Sequence, residues 1–188
     1  VRILDALTYA GNIENLKDIR NKIEFMEGDI TNKVKAKEAV KGVDAVVHFA
    51  AETHVDRSIF DPAGFWKTNV IGTQTLLEEA SKAKVPRFHH VSTDEVYGEL
   101  AVDSHERFNE RTPYAPRPDN LYAISKAEAD RVVRDFARTS RMKITISNCS
   151  NNYGAYEFPE KFMPILITNL IDGYKAPVHG DGLNTRDW

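Results

Sequence analysis

A chain of 188 residues can withdraw about 70% of its unfolded surface into one core. Its 41% apolar and 28% charged residues are the balance of an ordinary soluble globular protein. A net charge of −3 leaves no basic footprint for nucleic acid. The single cysteine, Cys149, excludes an intrachain disulfide, which suits a reducing compartment. No apolar run approaches the ~20 residues of a membrane helix, and no stretch reads as a signal peptide, so a cytoplasmic location is the default expectation.

Taken in order, predicted strands and helices alternate, the pattern of an α/β sheet. Val1–Asp5 reads as a strand ending on an acid, followed by a loop Thr8–Asn12 and a helical stretch Ile13–Arg20. Ile23–Asp29 alternates as a strand should, and Asp29-Ile30-Thr31 opens a helix over Lys33–Val40. Val43–Ala51 is a near-continuous apolar run, expected of a parallel strand covered on both faces. Thr68–Ala83 is a long helix, Phe88–Ser92 a buried strand, Tyr122–Thr139 a second long helix and Ile144–Ser147 a further strand. Glu99–Leu121, interrupted by Pro113, Pro116 and Pro118, is expected to be irregular, as is Asn148–Pro164, which leads into an apolar helix Ile165–Ile171.

In a dinucleotide fold a glycine-rich turn precedes the acid that takes the ribose by about 20 residues. The chain has no such glycine cluster, so Asp5 reads as the acid of the second strand. The expected architecture is a Rossmann-type doubly wound parallel sheet, its first strand, glycine loop and most of the C-terminal substrate domain lying outside this chain. The expected division is a dinucleotide-binding domain over 1–147 and the start of a sugar-binding region over 148–188.

Two segments carry chemistry. Ser92-Thr93-Asp94-Glu95-Val96-Tyr97-Gly98 follows a strand and so lies where ligands of open α/β sheets bind. Two adjacent carboxylates there are poor core material and good material for an acid and a base whose surroundings differ. Tyr122 and Lys126, spaced i,i+4, share one helix face with Cβ atoms roughly 5–6 Å apart. An ammonium near a phenol favours the phenolate. Thr93 adds a hydroxyl able to bond both the phenol and a substrate oxygen. Each group has a bland alternative: loop acids for Asp94 and Glu95, a surface pair for Tyr122 and Lys126, a turn cap for Asp5, solvated charges for Lys161 and Arg186, and a small apolar side chain for Cys149. The six histidines form no metal set. His89 and His90, adjacent on a strand, point to opposite faces, and zinc is not expected.

Threonine upstream of Tyr-x-x-x-Lys resembles the short-chain dehydrogenase/reductase superfamily, and Ser92–Gly98 narrows this to the extended, nucleotide-sugar branch. Together with Ala50–Ser58, Leu7–Asn12, Asn151-Asn152-Tyr153-Gly154, Phe158–Lys161 and Gly180-Asp181-Gly182, the chain resembles the dTDP-glucose 4,6-dehydratases from Asp5 to Trp188. The resemblance implies an NAD-dependent hydro-lyase of deoxysugar (rhamnose) biosynthesis. Tyr122, supported by Lys126 and Thr93, would take the C4 hydroxyl proton as hydride leaves C4. Glu95 would take the C5 proton, Asp94 would protonate the departing C6 hydroxyl, and hydride would return to C6. The resemblance places NAD against Asp5, Ala6, Leu7, Thr8, Asp29, Ile30, Phe49, Ala50, Ala51, Glu52, Thr53, Thr68, Tyr122, Lys126 and Asn152. It places the nucleotide sugar against Thr53, Thr93, Asp94, Glu95, Asn151, Lys161, Phe162, Pro177, Val178, His179 and Arg186. An acid at position 5 repels a 2′-phosphate and so favours NAD over NADP. Thr53 stands where the family often has serine. By analogy a homodimer would form through Thr68–Ala83 and Tyr122–Thr139.

Three rivals stay open. A 4-epimerase would keep Thr93, Tyr122 and Lys126 without needing Asp94 and Glu95. A UDP-glucose 4,6-dehydratase would share the chemistry and differ in the base. A non-catalytic dinucleotide-sensing module would keep the fold and lose the reaction.

Overall fold

The computed structural model describes residues 1–178, 180–183 and 185. The chain divides into two compact units, Val1–Cys149 and Ser150–Trp188. The first is an α/β unit whose strands all pair in parallel. Strand β1 (Arg2–Asp5) pairs with β2 (Glu24–Glu27), and β3 (Val46–His48), β4 (Arg87–Thr93) and β5 (Lys143–Cys149) form a separate sheet in that order.

Five α-helices of this unit cover the strands: α1 (Lys33–Val40), α2 (Val55–Phe60), α3 (Pro62–Trp66), α4 (Thr73–Lys82) and α5 (Leu121–Thr139). Capping explains several starts. Asn32 accepts from the amides of Val34 and Lys35 to open α1. The Asp29 carboxylate is spent one turn earlier, on the Thr31 amide at 2.7 Å. Ile13–Lys22 is a 3₁₀ helix where a helical stretch was expected. The helices α2 and α3 are new. Pro62 opens α3 with Asp61 accepting from the Gly64 amide, so a proline at the first helical position marks this start.

The helix expected over Thr68–Ala83 is really α3 running into α4 through a π turn, Lys67–Gly72. Gly72 is required there: a Cβ would come within 2.6 Å of Ile30 Cδ1. The core is built on β4, which alternates Phe88, His90 and Ser92 into the face covered by helices. Phe88 packs with Leu77, Ala80 and Val133, placed by the helical period of α4 and α5, and with Val85 and Met142 from the turns that follow those helices.

One expectation fails. Val43–Ala51 was read as a strand covered on both faces, yet only Val46–His48 joins the ladder. Val47 is 53% and Phe49 72% exposed. The reason lies in pairing: β3 is hydrogen-bonded to β4 alone and β1 to β2 alone. Their other edges border a cleft of about 1230 Å³ lined by Arg2–Asp5 on one side and Val43–Ala51 on the other.

In the second unit, irregular chain from Ser150 leads to α6 (Phe162–Ile171), which starts earlier than the expected Ile165. Pro164 falls within its first turn, where its missing amide leaves no helical bond unmade.

Candidate active site

Strand β4 ends at Thr93, whose hydroxyl accepts from the Glu95 amide at 3.3 Å and caps a 3₁₀ turn over Asp94–Tyr97. Gly98 closes that turn at φ 93°, and a Cβ there would meet the Ala115 carbonyl at 2.6 Å. Both features swing Asp94 and Glu95 off the strand end as neighbours. Thr93 Oγ1 also donates to Asp94 Oδ1 at 3.3 Å.

Helix α5 supplies the other half. Tyr122 lies in its first turn and Lys126 one turn on, buried at 3% exposure. The Thr93 hydroxyl lies beside the Tyr122 phenol and works against the upward push of burial on it. The five residues read as catalytic, Thr93, Asp94, Glu95, Tyr122 and Lys126, therefore converge where the end of β4 meets the start of α5. Burial, followed by the charge of Glu95, pushes the Tyr122 phenol above its ordinary range. Lys126 is pushed down to about 8, chiefly by burial. Its Nζ donates to the Val91 carbonyl at 2.9 Å. The lysine therefore does not by itself bring the phenol down, because it is anchored to β4 and partly desolvated. A further positive charge must reach the phenol before it becomes a base at neutral pH.

Sequence reasoning missed several residues that hold this site. Asn120 caps α5 by accepting from the Ala123 amide at 3.0 Å, while its Nδ2 donates to Glu95 Oε2 at 2.6 Å. The signal was present: an asparagine directly before a helical period is an N-cap candidate. Asn69, on the π turn, is buried and grips Glu52 by both backbone groups, at 2.8 and 3.0 Å. It also donates to Ser125 Oγ at 2.9 Å, and that hydroxyl donates to the Tyr122 carbonyl at 2.8 Å. The π turn thus ties the loop after β3 to the catalytic helix. Cys149 pairs in register with Thr93 and donates to the Ser92 carbonyl at 3.3 Å, so its thiol sits beside the site rather than in the apolar core.

His89 and His90 take opposite faces. His89 bonds Thr145 and Ser147 on β5, and His90 is buried under α5. His48 is also buried, its Nε2 2.9 Å from Thr73 Oγ1. Thr73 donates to the Asn69 carbonyl, so His48 is the donor to Thr73 and carries its proton on Nε2. Burial holds both His48 and His90 below the usual histidine range. Among the described residues no cluster of three His, Cys, Asp or Glu could hold a metal.

The dinucleotide residues gather elsewhere. Asp5, Thr8, Ile30, Phe49, Ala50 and Ala51 line the cleft between β1 and β3, and Asp5 and Leu7 line a smaller cavity beside it. Asp5 sits exposed at the end of β1, its Oδ1 accepting from the Leu7 amide at 2.7 Å. Leu7 takes φ 46°, and the chain then doubles back so tightly that a Cβ on Gly11 would come 2.5 Å from Leu7 Cα. An exposed acid at a strand end above a glycine-tightened backbone cradle fits a ribose and its adjoining groups. Ala6, Asp29, Glu52, Thr53 and Thr68 do not line the cleft. Asn151, Asn152, Lys161, Phe162, Pro177 and Val178 belong to the second unit, where Lys161 is the N-cap residue of α6. His179 and Arg186 lie outside the described residues.

A model of the NAD dependent epimerase/dehydratase family matches residues 1–188. A dTDP-glucose 4,6-dehydratase of Mycolicibacterium smegmatis is 50% identical over 188 residues, covering 100% of this chain and 56% of that protein. The chain thus spans about half the length of the curated relatives it matches. The crystal structure of DesIV, a dTDP-glucose 4,6-dehydratase from Streptomyces venezuelae with NAD bound, superposes with a TM-score of 0.94 at 47% identity, over 100% of this chain and 57% of that one. A UDP-glucose 4-epimerase from Thermotoga maritima superposes at 0.88 with 28% identity, over 100% and 60%. With the strand-end acids, the Tyr122–Lys126 pair and the Asp5 cradle on one α/β unit, the chain belongs to the NAD dependent epimerase/dehydratase family.

Proposed function

We propose that the full-length protein dehydrates dTDP-glucose to dTDP-4-keto-6-deoxyglucose with NAD. The observation that carries this is the pair Asp94 and Glu95 on the turn beside Tyr122, with Glu95 gripped by Asn120 at 2.6 Å. A 4-epimerase needs one base at C4. A 4,6-dehydration also needs a base at C5 and an acid at C6, and two neighbouring carboxylates supply both. The relatives named dTDP-glucose 4,6-dehydratase support the same reading.

Asp5, Leu7, Thr8, Phe49, Ala50 and Ala51 would hold the cofactor, with Ala6, Asp29, Ile30, Glu52, Thr53, Thr68 and Asn152 contributing around it. When bound, NAD would supply the hydride acceptor for C4 oxidation and the hydride donor for C6. Tyr122, with the Thr93 hydroxyl beside it, removes the C4 hydroxyl proton. Glu95 removes the C5 proton, made acidic by the C4 ketone. Asp94 gives a proton to the C6 hydroxyl, which leaves as water. Positioned proton transfers of this kind typically contribute ~10²–10⁴ in rate. Lys161 and Phe162 start α6, where the positive helix end suits a diphosphate. Asn151, Pro177, Val178, His179 and Arg186 complete the sugar-nucleotide set.

The two bare sheet edges support a further strand lying between β1 and β3, with the glycine turn at its end. The product suits a pathway to deoxysugars such as rhamnose, and the lone thiol suits the cytoplasm. No described helix is long and apolar enough to cross a membrane. Exposed Trp66 and Ile71 on the helix over 62–82 support a homodimer through that helix and α5.

The test is mass spectrometry of dTDP-glucose and UDP-glucose after separate incubation with the full-length protein and no added reductant. Loss of one water from the dTDP sugar with NAD unchanged is expected. Loss from the UDP sugar alone changes the substrate, and a stereoisomer without mass change moves the reading to an epimerase. An unchanged sugar with NAD bound leaves a sensing module.

A further inference from the structure

Helix α5 carries a third polar group in line with Tyr122 and Lys126. Asp130 follows Lys126 by four residues, so the three lie on one face in successive turns. Asp130 is fully buried. A carboxylate in that position is costly unless charge and hydrogen bonds compensate it.

The groups facing it come from every element packed against it. From the irregular stretch, Tyr114 Oη donates to Oδ2 at 2.7 Å, and Arg134 on α5 donates to that Oη at 2.7 Å. From β5, Asn148 Nδ2 reaches Oδ2 at 3.3 Å and the Thr93 carbonyl at 3.1 Å. From β4, His90 Nε2 stands 3.2 Å from Oδ1 but off the line of a hydrogen bond, and Ser92 lies alongside. Behind His90 stands His48, ring centroids 5.1 Å apart. Burial holds both histidines below the usual range, yet the close approach of His90 is the foremost influence holding the Asp130 carboxyl low. Arg134 is exposed and spends its contact on Tyr114. Among the described residues, Lys126 is the buried cation that remains.

We propose that Asp130 is a positioning residue, a fixed buried anion one turn behind Lys126 that keeps its side chain charged and drawn along α5 toward Val91, ready to serve Tyr122. Burial works against the ammonium, and the charge of Asp130 is the largest influence opposing it. The wall of Tyr114, Asn148 and His90 holds the carboxylate still, so no rearrangement is needed when the cofactor cleft fills. This role rests on the reading of Tyr122 and Lys126 given above.

The test compares Asp130→Asn with Asp130→Glu in the full-length protein. Two readouts are taken: the kcat–pH profile on dTDP-glucose, and the titration of Lys126 by ¹³Cε NMR, assigned with Lys126→Arg. An opposite charge at this range moves a pKa by about 1–3 units. The expectation for Asp130→Asn is a Lys126 midpoint and an alkaline kcat limb both lowered by about one unit or more. Rate at pH 7.5 should fall about tenfold or more, KM should stay within about twofold, and Asp130→Glu should restore both midpoints. Should Asp130→Asn fail to fold, Asp130→Ser takes its place in the comparison. An unmoved Lys126 midpoint, or a lower melting temperature with unmoved limbs, overturns the proposal and leaves Asp130 a structural brace. The NMR titration reads Lys126 whether or not the sugar turns over, so failure of the dehydratase reading is separable from failure of this one.

Discussion

Asn120 performs two tasks with one amide, and three substitutions separate them. Its Oδ1 caps α5 and its Nδ2 holds Glu95 at 2.6 Å. Loss of an asparagine N-cap to alanine typically costs about 0.5–2 kcal/mol. A hydrogen bond to a charged group contributes about 1.5–3 kcal/mol, or about tenfold to a hundredfold where it orients a base. Asn120→Ala should therefore lose about 1 kcal/mol in urea unfolding and one to two orders of magnitude in kcat. Asn120→Ser restores the cap but cannot reach Glu95, so stability should return while kcat stays low. With dTDP-[5-²H]glucose, the primary isotope effect in Asn120→Ser should exceed that of the unsubstituted enzyme, because C5 deprotonation has become limiting. Asn120→Asp keeps the cap and sets a carboxylate against a carboxylate. Like charge disfavours ionisation, so the acid limb of kcat should move to higher pH. If Asn120→Ser regains full kcat along with stability, the bond to Glu95 is incidental and the reasoning fails.

Other expectations follow from separate parts of the molecule. Lys84, just past the Ala83 C-cap of α4, sits at φ 58°, with the Val85 amide reaching back to Ala80. Lys84→Gly should relieve that left-handed strain and raise the urea midpoint, by about 0.5–1 kcal/mol. Gly98→Ala should lose about 1–3 kcal/mol and most turnover, because the strained φ and the Ala115 carbonyl both oppose a side chain on the catalytic turn. His48 stays neutral when folded but takes a proton below about 6.5 when unfolded. The unfolded state then binds more protons, so stability is full above that pH and falls below it, by about 1.4 kcal/mol per pH unit. Melting curves from pH 7.5 to 5 should show that slope, flattened in His48→Gln.

Where local pattern and tertiary use agreed, the sequence was readable. The strand over 88–92 and the helix over 122–139 fell within a residue or two of β4 and α5, because each presents one clean period to one core. The five catalytic candidates converge for the same reason: their places at a strand end and a helix start follow from those two elements. The errors arise where pairing decides. Val43–Ala51 has the composition of a covered strand, but exposure depends on which edges find partners, and composition carries no record of that. The short α2 begins inside the Ala50–Ser58 stretch read as motif, and α3 lies in a segment to which no element was assigned. Asp130 drew no notice and Asn148 was read as the start of an irregular stretch, because polar residues on a helix and at a strand end usually meet solvent. Only the packed structure turns them inward against Tyr114 and His90.

The π turn at Lys67–Gly72 has a consequence for how this segment tolerates change. Because it carries an extra residue, it offsets the angular phase of α3 relative to α4. One continuous rod can then aim Asn69 at Ser125 while Leu76, Leu77 and Ala80 still face the core. Removing any single residue between 67 and 72 would restore an unbroken α-helical phase. One half of the rod would then be rotated by about 100° relative to the other. Such a deletion would be read as a conservative trim of a surface helix, yet it would unlatch the loop after β3 from the catalytic helix. Point substitutions along the outer face of the same rod would leave that latch untouched.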